Sequence, residues 1–149
     1  MNIFKAFKIS ASGLSAERLR MDVVSANIAN ANSTRSAQGG PYKRQVALIS
    51  SVKEQASLFK NIFNRETQKQ EELGGVRVVS VVEDPSPAKK VYDPKHPDAN
   101  KDGYVEYPNV DVMKEMVEMI TASRAYEANI TVLNSTKSMA LKTLDIGKG

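Results

Sequence analysis

The chain contains no cysteine, no tryptophan and one histidine, His96. Disulfides and thiolate zinc sites are therefore excluded, although this does not by itself assign a compartment. No apolar run approaches the roughly 18 residues that a membrane span needs. The opening residues, Met1-Asn2-Ile3-Phe4-Lys5-Ala6-Phe7-Lys8, lack the continuous apolar stretch of an ordinary secretory signal. Net charge is +4 and the pI is near 9.3. Yet no block of Lys and Arg carries interleaved aromatics, so nucleic-acid binding is not indicated. Composition alone describes a cytoplasmic protein long enough for one domain, or one domain plus an elongated part. The most informative absence is local: there is no proline after Pro108, and no glycine between it and Gly147.

That last stretch is built for one long helix. Val112, Met116, Met119, Ser123, Tyr126, Ile130, Leu133, Lys137, Ala140 and Leu144 follow each other at spacings of four and three. Held for about five heptads, this is the pattern of a helix packed lengthwise on another. Asn109 or Asp111 can cap its start, and Gly147 stops it. Lys137 and Lys142 place positive charge toward its negative dipole end. At 1.5 Å per residue it is on the order of 50 Å long. A second apolar stripe, Met113, Val117 and Ile120, runs beside the seam. If exposed, it points to other chains. Glu118 lies off both stripes and reads as a tolerant surface position.

The opposite terminus supplies a partner. Phe7, Leu14, Met21 and Ile28 recur every seven residues. They predict an amphipathic helix over residues 3–31, roughly 40 Å long. Gly13 within it is either a tolerated defect, costing about 1 kcal/mol relative to Ala, or a point of close helix–helix approach. The helix runs into residues 25–34, rich in Asn, Ser and Thr. These side chains compete for backbone hydrogen bonds and end the helix. Asn27, Asn30 and Asn32 then form either a polar cap or a corner that bonds to a neighbouring chain.

Between the helices the pattern changes. Gly39-Gly40-Pro41 makes a turn, and residues 42–52 read as a strand with Tyr42, Arg44, Val46 and Leu48 on one face. Residues 53–73 are ambiguous: Leu58, Phe59, Ile62 and Phe63 fit a short helix or a mobile loop. Gly74-Gly75 precedes a β-branched run over residues 76–82. Pro85, Pro87, Pro94, Pro97 and Pro108 exclude a helix from residues 84–108. Val91-Tyr92 and residues 104–107 fit short strands, with Asp102-Gly103 as a hairpin turn. The expected fold is mainly α with a small β part. Two long terminal helices pair as a coiled-coil-like hairpin, residues 1–34 with 110–149. Residues 35–109 form an irregular, β-containing middle segment.

Chemistry has few footholds. Asp98, Asn100 and Asp102 with Gly103 match the start of a calcium loop, but position 12 is Asn109, which cannot give a bidentate carboxylate. A calcium-binding module using residues 98–109 is thus the weaker alternative to a hairpin turn. His96 has no Cys or second His to share a metal and reads as a turn residue. Arg124 and Glu127 make an ordinary i, i+3 surface pair. No paired carboxylates, phosphate loop or nucleophile elbow stands out. The positive signal is for assembly, carried by Phe7, Leu14, Met21, Ile28, Asn27, Asn30 and Asn32 at one end. At the other it is carried by Val112, Met116, Met119, Tyr126, Ile130, Leu133 and Leu144. A cytoplasmic coiled-coil adaptor is a further class open on these grounds.

Several runs also resemble a known family. They are Ile9-Ser10-Ala11-Ser12-Gly13-Leu14-Ser15-Ala16, Ala26-Asn27-Ile28-Ala29-Asn30-Ala31-Asn32-Ser33-Thr34, Gly39-Gly40-Pro41-Tyr42, and Val91-Tyr92-Asp93-Pro94-Lys95-His96-Pro97. With Glu115-Met116-Val117-Glu118-Met119-Ile120 and Ser123-Arg124-Ala125-Tyr126-Glu127-Ala128-Asn129, the chain resembles the axial proteins of the bacterial flagellum over nearly its whole length. The Pro-rich middle and the residues 124–129 narrow the resemblance to the proximal rod, with another rod or hook-type protein as the alternative. The resemblance implies a structural subunit, not an enzyme, with no cofactor. It implies polymerisation through the terminal helices into a hollow shaft that surrounds the export channel and transmits torque. It further implies type III export without a cleaved signal, and a place in the rod crossing the periplasm. Implied partners are the chain itself, other rod proteins, rod-base adaptors and export-gate proteins.

Overall fold

The computed structural model describes residues 3–37, 39–53 and 73–147. All but the two ends of the ambiguous stretch 53–73 lies outside the described residues. The elements in order are α1 (Ile3–Ala29), β1 (Gln45–Lys53), β2 (Leu73–Glu83), β3 (Lys89–Tyr92), β4 (Tyr104–Tyr107) and α2 (Val112–Ile146). The expected class holds: two long terminal helices flank a small antiparallel strand part. α1 ends where the Asn-rich run begins to bond its own backbone, Asn30 Nδ2 donating to the Ala26 carbonyl at 2.9 Å. α2 starts at Asp111, whose carboxylate accepts from the Met113 and Lys114 amides at 3.1 and 3.4 Å. Gly147 closes it, its amide reaching the Thr143 carbonyl.

The helices run antiparallel in one constant register. Asn27 faces Glu115 across the base, and Gly13 faces Asn129 near the middle. A methyl group at Gly13 would sit 3.0–3.2 Å from the Asn129 amide. Gly13 is therefore a point of close approach, and the other reading of it falls away.

The packing seam differs from the one expected. The buried residues of α2 are Glu115, Ala122 and Thr136, with Asn129 half-buried between the last two. Those of α1 are Ser10, Ala16, Val23, Val24 and Asn27. Small and polar side chains thus line the contact. The apolar 4-3 seam on α2 is rotated from it by roughly 70°, at 100° per residue. Met119, Tyr126 and Leu133 of that seam are half-buried, while Val112, Met116, Ile130 and Leu144 stay exposed. The reason is geometric: small residues let two backbones approach closely, and large ones are pushed to the flanks.

The β1–β2 hairpin packs on the other side of α1. Among the described elements α1 touches α2, β1 and β2, whereas α2 packs on α1 alone. β1 pairs with β2 from Gln45↔Glu83 to Lys53↔Leu73, and Val79 is bulged out between Ser80 and Val78. The first strand begins three residues later than the sequence pattern suggests; just before it the Tyr42 and Arg44 side chains reach Asn27 and Glu115 of the helices, while the Arg44 carbonyl still accepts the Asp84 amide at 2.8 Å. The far end of β2 is seated on α1. Ser12 Oγ accepts from the Val76 amide at 3.0 Å and donates to the Ile9 carbonyl at 2.7 Å. Gly75 lies so close that an added Cβ would overlap Ser12 Oγ.

β3 pairs with β4 from Lys89↔Tyr107 to Tyr92↔Tyr104. The connecting turn does use Asp102-Gly103, but within a wider loop. Gly103 takes φ +80°, and Asn100 Oδ1 accepts the Asp102 and Tyr104 amides at 3.0 and 2.9 Å.

Gly75→Ala should destabilise the chain by about 1–3 kcal/mol, the usual range for overpacking. Ser12→Gly in the same chain should recover part of that loss by removing the clashing atoms. Denaturant midpoints of the three variants check this; a Gly75→Ala chain as stable as the parent would mean the seat is loose.

Candidate functional site

The base of the helix pair is tied together by one buried polar network. Asn27 is fully buried, and both ends of its amide are used. Its Nδ2 donates to the Gln45 carbonyl and to Glu115 Oε2, each at 2.9 Å. Its Oδ1 accepts from the Tyr42 hydroxyl and the Gln45 amide, again at 2.9 Å. Glu115 is 1% exposed, so its carboxylate is almost wholly out of water. Arg44 Nε donates to its other oxygen at 2.7 Å. The same guanidinium reaches Glu118 at 3.4 Å and Asp84 at 3.5 Å. One arginine just before β1 therefore joins α2 to Asp84, just after β2.

The electrostatics follow from this crowding. Burial works against the charge of Arg44, but the hydrogen bond and charge of Glu115 outweigh it, and Glu118 and Asp84 add to the effect; its pKa is raised. Burial, then the negative charge of Glu115, pushes the Tyr42 phenol up. Hydrogen bonds from Ser86 hold the Asp84 carboxyl below its usual value, and Arg44 contributes. Glu118, read from the sequence as a tolerant surface position, is 40% exposed and reaches the edge of this network through Arg44.

Around this base the other expected residues separate into groups. Phe7, Leu14, Met21 and Ile28 are half-buried along α1. Asn27 is spent inside the chain, so of the Asn corner only Asn30, half-buried, and Asn32, exposed, can meet a neighbour. Asn30 accepts from Ser33 Oγ at 3.1 Å, as a local cap does. On the back of α2 the second stripe is open: Met113, Val117 and Ile120 are 70, 61 and 61% exposed. Arg124 and Glu127 pair at 3.1 Å on the surface, as expected.

The loop with calcium-like spacing is engaged elsewhere. Asp98 accepts from Thr34 Oγ1 at 2.7 Å and pairs with Arg35 at 2.7 Å. Its amide donates to His96 Nδ1 at 3.1 Å, which makes His96 part of the turn. Among the described residues no group of three or more His, Asp or Glu is placed to hold a metal. Nor is any helix among them long and apolar enough to cross a membrane.

A polar lock inside and large apolar faces outside define an elongated assembly subunit, whose partners are other chains. The family model described as Flagella basal body rod protein matches residues 7–38. That described as Flagellar basal body rod FlgEFG protein C-terminal matches residues 101–146. The chain belongs to the family of the flagellar basal-body rod protein FlgC. It is 45% identical to that protein of Bacillus subtilis strain 168, over 99% of this chain and 100% of the relative. Identity is 46% with that of Borreliella burgdorferi, over 100% of both. It is 40% with that of Salmonella typhimurium, over 99% of this chain and 100% of the relative. Membership makes the chain a structural subunit of the basal-body rod.

Asn27, Tyr42 and Arg44 were not recognisable as one site in the sequence. The single available signal was a glutamate in the first turn of a long amphipathic helix, which is ordinary dipole chemistry when exposed.

Arg44→Met should leave Glu115 buried with no cation. Breaking a buried pair on one side costs about 3–5 kcal/mol, measurable by denaturant unfolding. A loss under about 1 kcal/mol, the value of an exposed pair, would contradict the buried lock.

The two ends of the pH range should respond in opposite senses. Asp84 is lowered, so its contribution is present above its ordinary pKa of 3.8 and is lost as pH falls through the lower native value. Tyr42 is raised, so its contribution is present below its ordinary 10.0 and is lost as pH rises through the higher native value. Asp84→Asn should flatten the acid limb of a stability–pH curve, and Tyr42→Phe the alkaline limb.

Proposed function

We propose that the chain polymerises with itself and with other rod subunits through its terminal helices, forming a hollow helical shaft that surrounds an export channel and transmits torque. The observation that supports this is the inverted packing of the helix pair. The helices meet through small and polar side chains, while Val117 and Ile120 stay 61% exposed. Each such side chain contributes about 1.5–3 kcal/mol when buried, so a stripe left open is a surface awaiting partners. A heterologous contact that does not close on itself builds a helical tube.

In this reading residues 1–34 and 110–149 form the assembling helix domain, and residues 35–109 form a middle segment braced on α1. The interface draws on Phe7, Leu14, Met21, Ile28, Asn30 and Asn32, and on Val112, Met116, Met119, Tyr126, Ile130, Leu133 and Leu144. Asn27 acts from inside, by holding the base. The work is mechanical and not enzymatic. The rod lies in the periplasm, reached by type III export without a cleaved signal. Rod-base adaptors and export-gate proteins are the remaining partners.

Val117→Asp and Ile120→Asp separate folding from assembly, because neither side chain is packed in the single chain. Unfolding free energies should stay within about 0.5 kcal/mol of the parent. In cells lacking their own copy, both variants should be absent from purified basal bodies, and the cells should not swim. Variants that assemble and restore swimming would remove this stripe from the interface.

A further inference from the structure

The β1–β2 hairpin is a two-stranded sheet, so each strand has an outer edge. Side chains of α1 close each edge at one end only. Asn27 takes both backbone groups of Gln45: its Nδ2 donates to the carbonyl and its Oδ1 accepts the amide, each at 2.9 Å. It stands where a third strand would. Gln45 therefore faces away from β2, and alternation along an antiparallel pair turns Ala47 and Ile49 the same way. On β2, Ser12 Oγ holds the Val76 amide outside the ladder, so Val78 faces outward beside it. Beyond the bulge at Val79 the Asp84 amide points inward to the Arg44 carbonyl, so Val81 faces outward as well.

The two stops leave matching windows. Asn27 closes β1 at Gln45, the partner of Glu83, and Ser12 closes β2 at Val76, the partner of Ser51. Between them β1 offers Ala47 and Ile49, and β2 offers Val78 and Val81. Among the described elements β1 and β2 touch only each other and α1, so no element lies against either window. Ile49 is 38% exposed and Val81 41%. The β1 window opens into a cleft of about 220 Å³ that Val23 and Val24 of α1 also line. Arg20 and Arg44 stand in that cleft against Glu118 alone, and Arg20 reaches Glu17 only at 3.8 Å. The outer edge of β2 ends in Glu83, an opposite charge that is half-exposed. An open strand edge beside an apolar cleft is a template for another strand.

We propose that the free edge of β1 pairs with the free edge of β2 from a second copy. The hairpins of neighbouring subunits then join into one antiparallel sheet. In the register used inside a single chain, both windows coincide: Ala47 meets Val81 of the second copy, and Glu83 arrives opposite Gln45, in the positively charged cleft. This rests on the rod-subunit reading and adds a contact outside the helices. It is heterologous: each copy offers β1 to one neighbour and β2 to another, so the pairing propagates.

The absence of cysteine makes the test direct. Ala47 and Val81 already face each other within one chain, so the two substitutions go into separate chains. Ala47→Cys and Val81→Cys chains, expressed together and oxidised within purified basal bodies, should give a mixed dimer. Opposed residues of a hydrogen-bonded pair have Cα atoms about 5.5 Å apart, within disulfide reach. Ala47→Pro removes only the outward N–H and leaves the internal ladder whole. It should fold as the parent does by circular dichroism, yet enter basal bodies several-fold less. Ala47→Ser keeps the N–H and should enter as the parent does. No mixed dimer from basal bodies that contain both chains overturns this pairing and leaves the rod reading standing. So does normal incorporation of Ala47→Pro, or an Ala47→Cys chain linked to itself as a closed β1–β1 pair. If Ala47→Pro does not fold, the cross-link alone decides. A parent chain absent from basal bodies overturns both.

Discussion

The fold depends on keeping Glu115 charged and satisfied where water cannot reach it. A carboxylate 1% exposed is tolerable only with a cation and hydrogen-bond donors in place. Arg44 and Asn27 provide them from two other parts of the chain. This requirement fixes several things together. It sets the register of α1 against α2, because only one alignment puts Asn27 beside Glu115. It draws the side chains of Tyr42 and Arg44, just before β1, against the helices. It also brings Asp84, at the exit of β2, to the same guanidinium.

The lock explains how the helices can pair through so little apolar surface. Along α1 and α2 the buried positions are mainly serine, alanine, asparagine and threonine, with two valines. Such a seam gains close van der Waals contact but little hydrophobic free energy. Specificity then comes from the polar base, from the Gly13–Asn129 approach and from the Ser12–Gly75 seat on the far side of α1. Methionine, valine, isoleucine and leucine are left on the outside of the helix pair. Among the described elements α1 is covered on two sides and α2 on one, so of the two helices α2 carries most of the open apolar surface.

The helices were legible because a 4-3 pattern without glycine or proline has few other solutions. Their ends were legible too, since Asp111, Asn30 and Gly147 act by local chemistry. Which face turned inward was not legible. Apolar spacing marks faces that will be buried by something, and it does not say whether that is the same chain or another. In this chain the two differ: Met116 and Ile130 follow the heptad, yet Ala122 and Thr136 are the buried residues. Arg44 was placed on a strand face because alternation sees only its neighbours. Its partners lie 40, 71 and 74 residues away, a separation that no short-range pattern encodes.

The shaft proposed above, when it turns, loads its subunits in shear along their helices. An apolar seam resists sliding poorly, because a heptad shift replaces one hydrophobic contact by another of similar value. A polar lock behaves otherwise. Sliding α2 by one turn would strip Glu115 of Arg44 and Asn27 together, at a cost of about 3–5 kcal/mol for the ion pair alone. Arg44 also ties α2 to the β1–β2 hairpin, which is itself pinned on α1 at Ser12. The helices are therefore held at two levels, at the base and near the middle. In the proposed assembly each subunit then passes load to its neighbours through its apolar faces without its own helices slipping, and stiffness within the subunit and adhesion between subunits fall to different residues of the same two helices.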